Sequence, residues 1–170
     1  DSVLINALYR THGLSRKEKV ALGFLKWYIK EKKENDRLGL NKAIDSNGVP
    51  VLNGDAFLNV LEQSRLVSER FIEIQTEKLE RCNMMLKKQH NRNDSSHHFC
   101  GNDIVDRNFD WLGNNMLNTN VSFCGVVDTN YLGGPDKSVL ITLNAGTHDK
   151  ALTKCKILIV EDKKRLLIGN

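Results

Sequence analysis

Cys124 and His148 are the residues of this chain whose types suit covalent chemistry. A cysteine attacks as its thiolate and needs a neighbouring base to hold it ionised. His148, on the turn after an adjacent strand, would supply that base, and Asp149 or Asp128 would orient its imidazole in the manner of a catalytic triad. Cys124 sits in the run VSFCGVVDTN, residues 121–130, where β-forming residues give way to Asp-Thr-Asn. Such a segment is either the rim of an active site or the ordinary end of a buried strand with a small apolar thiol in it.

Other chemistries lack parts. Cys82, His90, His97, His98 and Cys100 together offer the nitrogen and sulfur donors that zinc prefers, but their spacing fits no structural zinc module, and Cys82 and His90 would face apart on one helix. No metal and no cofactor is therefore expected. Gly133-Gly134-Pro135 precedes a strand rather than a helix, so no amino-terminal helix end is placed to receive phosphate. The HExxH and GxSxG patterns are absent. Binding chemistry is better supplied: Lys87, Lys88 and Arg92 form the cleanest basic stretch, suited to an acidic protein face or, less well because no aromatic residues interleave, to nucleic acid.

Several short segments resemble known families. The strand-borne cysteine and histidine loosely resemble sheet-borne cysteine deamidases and papain-like hydrolases. GVVDTN resembles the opening strand of PIN-type ribonucleases, but too few residues follow Asp128 to complete that fold. KILIVED, residues 156–162, resembles the first strand of response-regulator receivers and meets the same objection. Trp27 and Glu31 match the short Trp-x-x-x-Glu pattern of bacterial effectors that act on small GTPases; Trp27 beside Tyr28 equally suits helix packing. His97-His98 followed by Asn114-Asn115 resembles ββα-metal nucleases without their further histidine.

The elements that must position these residues divide the chain into a helical half and a β half. Ser2 can cap a short first helix, and Ser15-Arg-Lys-Glu18 is a capping box followed by Val20, Ala21, Phe24, Leu25 and Tyr28 at helical spacing. Residues 37–48 read as one more short helix closed by Asn47-Gly48. Asp55 reads as the N-cap of a long helix reaching about residue 89, with partial seven-residue steps at Val60, Val67 and Ile74. Thirty-odd helical residues would span on the order of 50 Å, too long for the globule, so this helix must break near Ser64 or Ser68 or overhang and recruit a second chain.

Residues 91–120 read as an irregular loop region. Strands are expected over 121–127, 138–143, 156–160 and 165–168, separated by Gly133-Gly134-Pro135-Asp136, by Asn144-Ala145-Gly146 and by the polar link 161–164. Helices first and strands later predict a single α+β domain over residues 1–170, a helical amino-terminal half packed on a small, mostly antiparallel carboxy-terminal sheet.

Bulk properties narrow the partners. A formal net charge of +4 is a mild basic bias, weaker than duplex-phosphate binding demands. No apolar run is long enough for a transmembrane helix, so membrane insertion is not expected. The four cysteines are expected to be free, buried thiols, and an intracellular setting is favoured over secretion. The sequons at Asn93 and Asn120 arise readily by chance in so asparagine-rich a chain. The leading functional reading is a soluble, non-enzymatic module for a protein partner or for self-association through the long helix. The alternative is a cysteine-dependent hydrolase or glutamine deamidase using Cys124, His148 and Asp149; the third is a weak nucleic-acid binder using Lys87, Lys88 and Arg92.

Overall fold

A computed structural model describes residues 9–31, 41–92, 123–146 and 153–169. The first expected helix, from Ser2 to a stop near Gly13, lies outside the described residues up to residue 8, and from residue 9 to 13 the chain is not helical, with Arg10 bridging to Val126 instead; the loop at 93–120 lies outside the described residues. Helix α1, Arg16–Lys30, begins as its capping box dictates: the Glu18 N–H donates to Ser15 Oγ at 3.2 Å and the Ser15 N–H donates to Glu18 Oε1 at 3.0 Å. Its buried side is Ala21, Phe24, Leu25 and Tyr28, the helical spacing of one face.

From residue 41, where its described part begins, the helix expected over 37–48 is instead part of a hairpin. Strands β1, Asn41–Ile44, and β2, Pro50–Asn53, pair antiparallel, with Ala43 opposite Val51. Asp45 builds the turn by accepting from the N–H groups of Asn47 and Val49 at 2.8 and 2.9 Å, and Gly48 takes the left-handed conformation the reversal needs. The Asn-Gly pair is thus a hairpin turn rather than a helix stop, and the run Val49-Pro50-Val51-Leu52 supplies the returning strand.

The long helix breaks at the serines. Helix α2, Asp55–Ser64, has Gly54 rather than Asp55 at its N-cap; Asn53 Oδ1 accepts from the Asp55 N–H, which moves Asp55 into the first turn. A Cβ on Gly54 would overlap the side chain of Leu79, so this cap position serves packing as well. After Ser64 the chain turns through Arg65 in the left-handed region, and Ser68 caps helix α3, Glu69–Asn91, by accepting from the Phe71 N–H at 3.1 Å. Between the helices the chain pairs with the sheet edge: Ser68 donates its N–H to Ile168 O at 2.9 Å, and Ile168 donates to Leu66 O at 2.8 Å. Asn83 of α3 holds the hairpin through both polar groups of the Leu52 backbone, at 2.8 and 3.1 Å.

The carboxy-terminal strands are β3, Phe123–Gly133; β4, Ser138–Gly146; β5, Thr153–Asp162; and β6, Arg165–Ile168. They form an antiparallel meander in that order. The architecture is therefore α+β, with helices in the amino-terminal half and a four-stranded antiparallel sheet in the carboxy-terminal half. Asn144-Ala145-Gly146, expected as a turn, continues β4 opposite Gly125, Cys124 and Phe123. Ala145 faces the core and Asn144 sits against a residue with no side chain, so neither breaks the ladder. The β5–β6 turn places Lys163 and Lys164 both at positive φ, the backbone of a primed two-residue hairpin built without Asn or Gly.

One face of the sheet carries Val139, Ile141, Leu143, Ala145, Ile157 and Ile159, all buried in one cluster with the apolar sides of the three helices. Helix α1 crosses this face, touching all four strands. Among the described residues no helix is long and apolar enough to cross a membrane.

Glu18 locks α1 in place. Besides its capping role, its Oε2 accepts from Arg10 Nη2 at 2.5 Å and from Thr129 Oγ1 of β3 at 3.0 Å, while Arg10 pairs through its backbone with Val126. Burial alone would raise the Glu18 carboxyl pKa, but the Ser15 backbone and side chain, the Thr129 hydroxyl and the Arg10 charge together hold it below the ordinary 4.5. A carboxyl depressed in the folded state stabilises fully above its unfolded pKa and loses that contribution as pH falls through the depressed value. Glu18→Gln should therefore cost about 1–3 kcal/mol at pH 7, measured by urea denaturation, and the difference from the unsubstituted protein should shrink below about pH 4.

Candidate functional site

Cys124 faces the core. It is paired with Ala145 on β4, and Leu143, two residues along, is paired with Cys155 on β5. Residues opposite one another in a sheet share a face, as do residues two apart, so both thiols project to the helix-covered side. Cys124 is half-buried against the core cluster and Cys155 is buried. Burial pushes the Cys124 thiol up, and the nearby Lys26 ammonium only partly opposes this. Burial, reinforced by the neighbouring Cys124, pushes Cys155 up to about 12. Both sulfurs are protonated at neutral pH, the condition of structural rather than nucleophilic cysteines.

His148 and Asp149 lie outside the described residues. The alternative orienting acid, Asp128, is described and is not brought to Cys124. In a regular strand residues 124, 126 and 128 would share a face, but a bulge between Val126 and Asp128 pairs Asp128 with Thr142, next to the inward-facing Leu143. Asp128 is exposed on the opposite face of the sheet. No sequence signal marks this bulge, since the Val-Val pair it displaces suits a strand in either register.

Of the potential zinc donors, His97, His98 and Cys100 lie outside the described residues. Cys82, on the buried side of α3, is disulfide-bonded, contrary to the expectation of a free thiol, and its sulfur is therefore no thiolate ligand. Cys124 and Cys155 are free, so the partner of Cys82 is outside the described residues. Among the described residues no group of three or more His, Cys, Asp and Glu side chains could hold a metal ion. Trp27 is half-buried and packs against Phe24 with ring centroids 5.7 Å apart, which gives it a packing role on α1.

The basic residues are placed differently. Lys87, Lys88 and Arg92 are all exposed at the end of α3, opposite the buried Leu79, Cys82 and Leu86. Positive charge there complements the carboxyl end of the helix dipole. Arg81, Met84, Met85, Lys88 and Arg92 follow one another at i, i+3, i+4, i+7 and i+11, a single stripe. Met84 is 60% exposed and Met85 47%, unusual for side chains of their size and polarity. Towards the start of α3 the charges cancel locally: Arg70 pairs with Glu73 at 3.0 Å and Glu77 at 3.8 Å, and Arg81 reaches Glu77 at 3.9 Å. Beyond Arg81 no carboxylate pairs with Lys87, Lys88 or Arg92 among the described residues. The basic half of this surface is legible from sequence; Met85 counts there as one more apolar position of the long helix, and the structure exposes it together with Met84.

Thiol counting checks the cysteine assignments. Under non-reducing denaturing conditions two of the four cysteines should react with a thiol reagent, and all four after reduction. In the native protein at pH 7, Cys124 and Cys155 should react far more slowly than a free peptide thiol. Four rapidly reacting thiols would contradict both assignments. No family model, curated protein or solved structure matches the chain.

Proposed function

We propose that the protein is a non-enzymatic binding module that engages an acidic, partly apolar protein surface through the exposed stripe of α3. The observation that carries this reading is the pair Met84 and Met85, exposed and bracketed by Arg81, Lys88 and Arg92. Methionine is flexible and polarizable enough to fit irregular partner surfaces, and Met and Arg are both enriched in the cores of protein interfaces. A cationic stripe with an apolar centre suits a groove or helix carrying Asp and Glu around apolar residues.

The same features rank the other readings. A second copy docked stripe to stripe would oppose cations with cations, which disfavours self-association through this face. Nucleic acid would be gripped by the lysines, but the stripe has no aromatic ring on which bases could stack. The cysteine-hydrolase reading requires a thiolate, which the core-facing position of Cys124 opposes.

Two variants test the proposal, Met84→Ser with Met85→Ser, and Arg81→Glu with Lys88→Glu. Exposed substitutions of this kind should change stability by less than about 0.5 kcal/mol each, so unchanged thermal melting confirms that the fold survives. In affinity capture from cells that make the protein, the unsubstituted chain should retain an acidic partner that both variants lose. Three results would sink the proposal: identical retention by all three proteins, a concentration-dependent dimer in light scattering that the variants abolish, or oligonucleotide binding that weakens steeply with salt.

A further inference from the structure

We propose that a groove on the outward side of α1 binds a small organic dianion, its acidic groups held by Lys19 and Lys26 and its body lying over Gly23. The groove has a volume of about 460 Å³ and lies between the segment 11–14 and the solvent-facing side of α1. That volume falls within the roughly 300–1,000 Å³ of ordinary ligand clefts.

Gly23 is the first sign that something is meant to lie there. It sits in the interior of a 15-residue helix, where glycine is less stable than alanine because its backbone loses more freedom on folding. Among the described residues nothing asks for it: its backbone is helical, and a Cβ at this position would meet none of their atoms within 4 Å. Elsewhere glycine answers crowding, as at Gly54 against Leu79 and at Gly125 against Tyr9. At position 23 the missing side chain leaves the floor of a groove bare instead.

The charges around that floor share one sign. Lys19, Gly23 and Lys26 stand at i, i+4 and i+7 on one face, with the lysine Cα atoms about 10 Å apart along the helix. Both lysines are exposed, and neither has a carboxylate partner among the described residues. The one acid in the first turn of α1, Glu18, is turned away and consumed by Arg10, Ser15 and Thr129. His12 on the facing wall adds nitrogen groups able to donate to an anion, while Leu14 and Leu22 supply a modest apolar edge. Two separated ammonium groups over a bare, partly apolar floor fit a compact molecule with an acidic group at each end. Free carboxylates and phosphate monoesters share that chemistry.

Amide chemical-shift titration of the whole chain tests the site, with succinate and propane-1,3-diol bisphosphate, each acidic at both ends, as separate probes and sodium chloride at matched ionic strength as the control. At least one probe should give saturable shifts centred on the amides of Lys19, Gly23 and Lys26; whichever binds more tightly identifies carboxylate or phosphate as the natural group. Lys19→Gln with Lys26→Gln should weaken binding about tenfold or more. Gly23→Leu, whose side chain enters open space and favours the helix, should abolish binding without lowering the melting temperature. Lys154→Gln, an exposed lysine on β5, should change neither. Shifts reproduced by chloride, shifts that fail to saturate for both probes, or full binding by Gly23→Leu would overturn the assignment.

Discussion

The placement of one carboxylate governs how the two halves of this chain meet. Glu18 caps its own helix, accepts from Arg10 in the segment before it and accepts from Thr129 on a strand more than a hundred residues later. It is only 5% exposed, so its charge has no adequate substitute for these partners in water. An uncompensated buried carboxylate would be strongly destabilising. The geometry that satisfies it sets the angle and register of α1 on the sheet. Arg10 is held there twice, by its guanidinium to Glu18 and by its backbone to Val126, which extends the sheet beyond β3.

With α1 fixed across the sheet, the apolar faces follow. Ala21, Phe24, Leu25 and Tyr28 meet the alternating Val139, Ile141, Leu143 and Ala145 of β4 and their neighbours on β5, a match of helical period to strand period that admits one inward face for each. The remaining helical material then has to be folded back, because α2 and α3 in line would exceed the sheet they cover. Ser64 and Ser68 solve this locally. Ser64 Oγ donates to Leu61 O and accepts from Leu66 N, Ser68 caps the next helix, and the freed backbone between them becomes an extra edge for β6. Ser68, which begins the second of these helices, thereby also ties the helical layer to the sheet, together with the Leu66 carbonyl.

Much of this was legible beforehand, and what was not has identifiable causes. The capping box and the antiparallel strands each rest on signals within a few residues, and each appears as expected; the break near Ser64 and Ser68 is one of the two outcomes that the length of the helical run left open, the other being an overhang. The hairpin at 41–53 was missed because its turn is made by the Asp45 side chain, so its Asn-Gly pair reads equally as a helix stop. The β5–β6 turn was recognised only as a gap, since lysines at positive φ carry no compositional mark. The site was less legible than the fold. Cys124 faces the core because of register, a property of pairing partners more than fifteen residues away, and the bulge that sends Asp128 to the other face is invisible in a run of valines. Met85 counts as an apolar position of the long helix, although the helix phase places it, like Met84, in solvent.

The modest net charge of +4 understates how basic parts of this surface are, and the reason is structural. Several carboxylates are engaged with partners of their own: Glu18 in the core, Glu73 and Glu77 with Arg70, Glu161 with Lys137. Each such pairing consumes a cation along with the acid, so the excess of positive charge is carried by the side chains left outside these pairs. Among the described residues Lys19 and Lys26 on the outer side of α1 and Lys87, Lys88 and Arg92 at the end of α3 pair with no carboxylate, and they stand on helix faces whose opposite sides are fixed in the core. A helix held on one side cannot rotate to hide charge on the other. The unbalanced charge is thus a rigid feature of the folded molecule, presented at two defined places, beside a bare glycine on one helix and beside exposed methionines on the other. A uniformly basic surface would attract any polyanion weakly. Cations fixed at set spacing around small apolar or open patches select by shape as well as by sign, because a ligand must match the gap between the charges in order to be held by both.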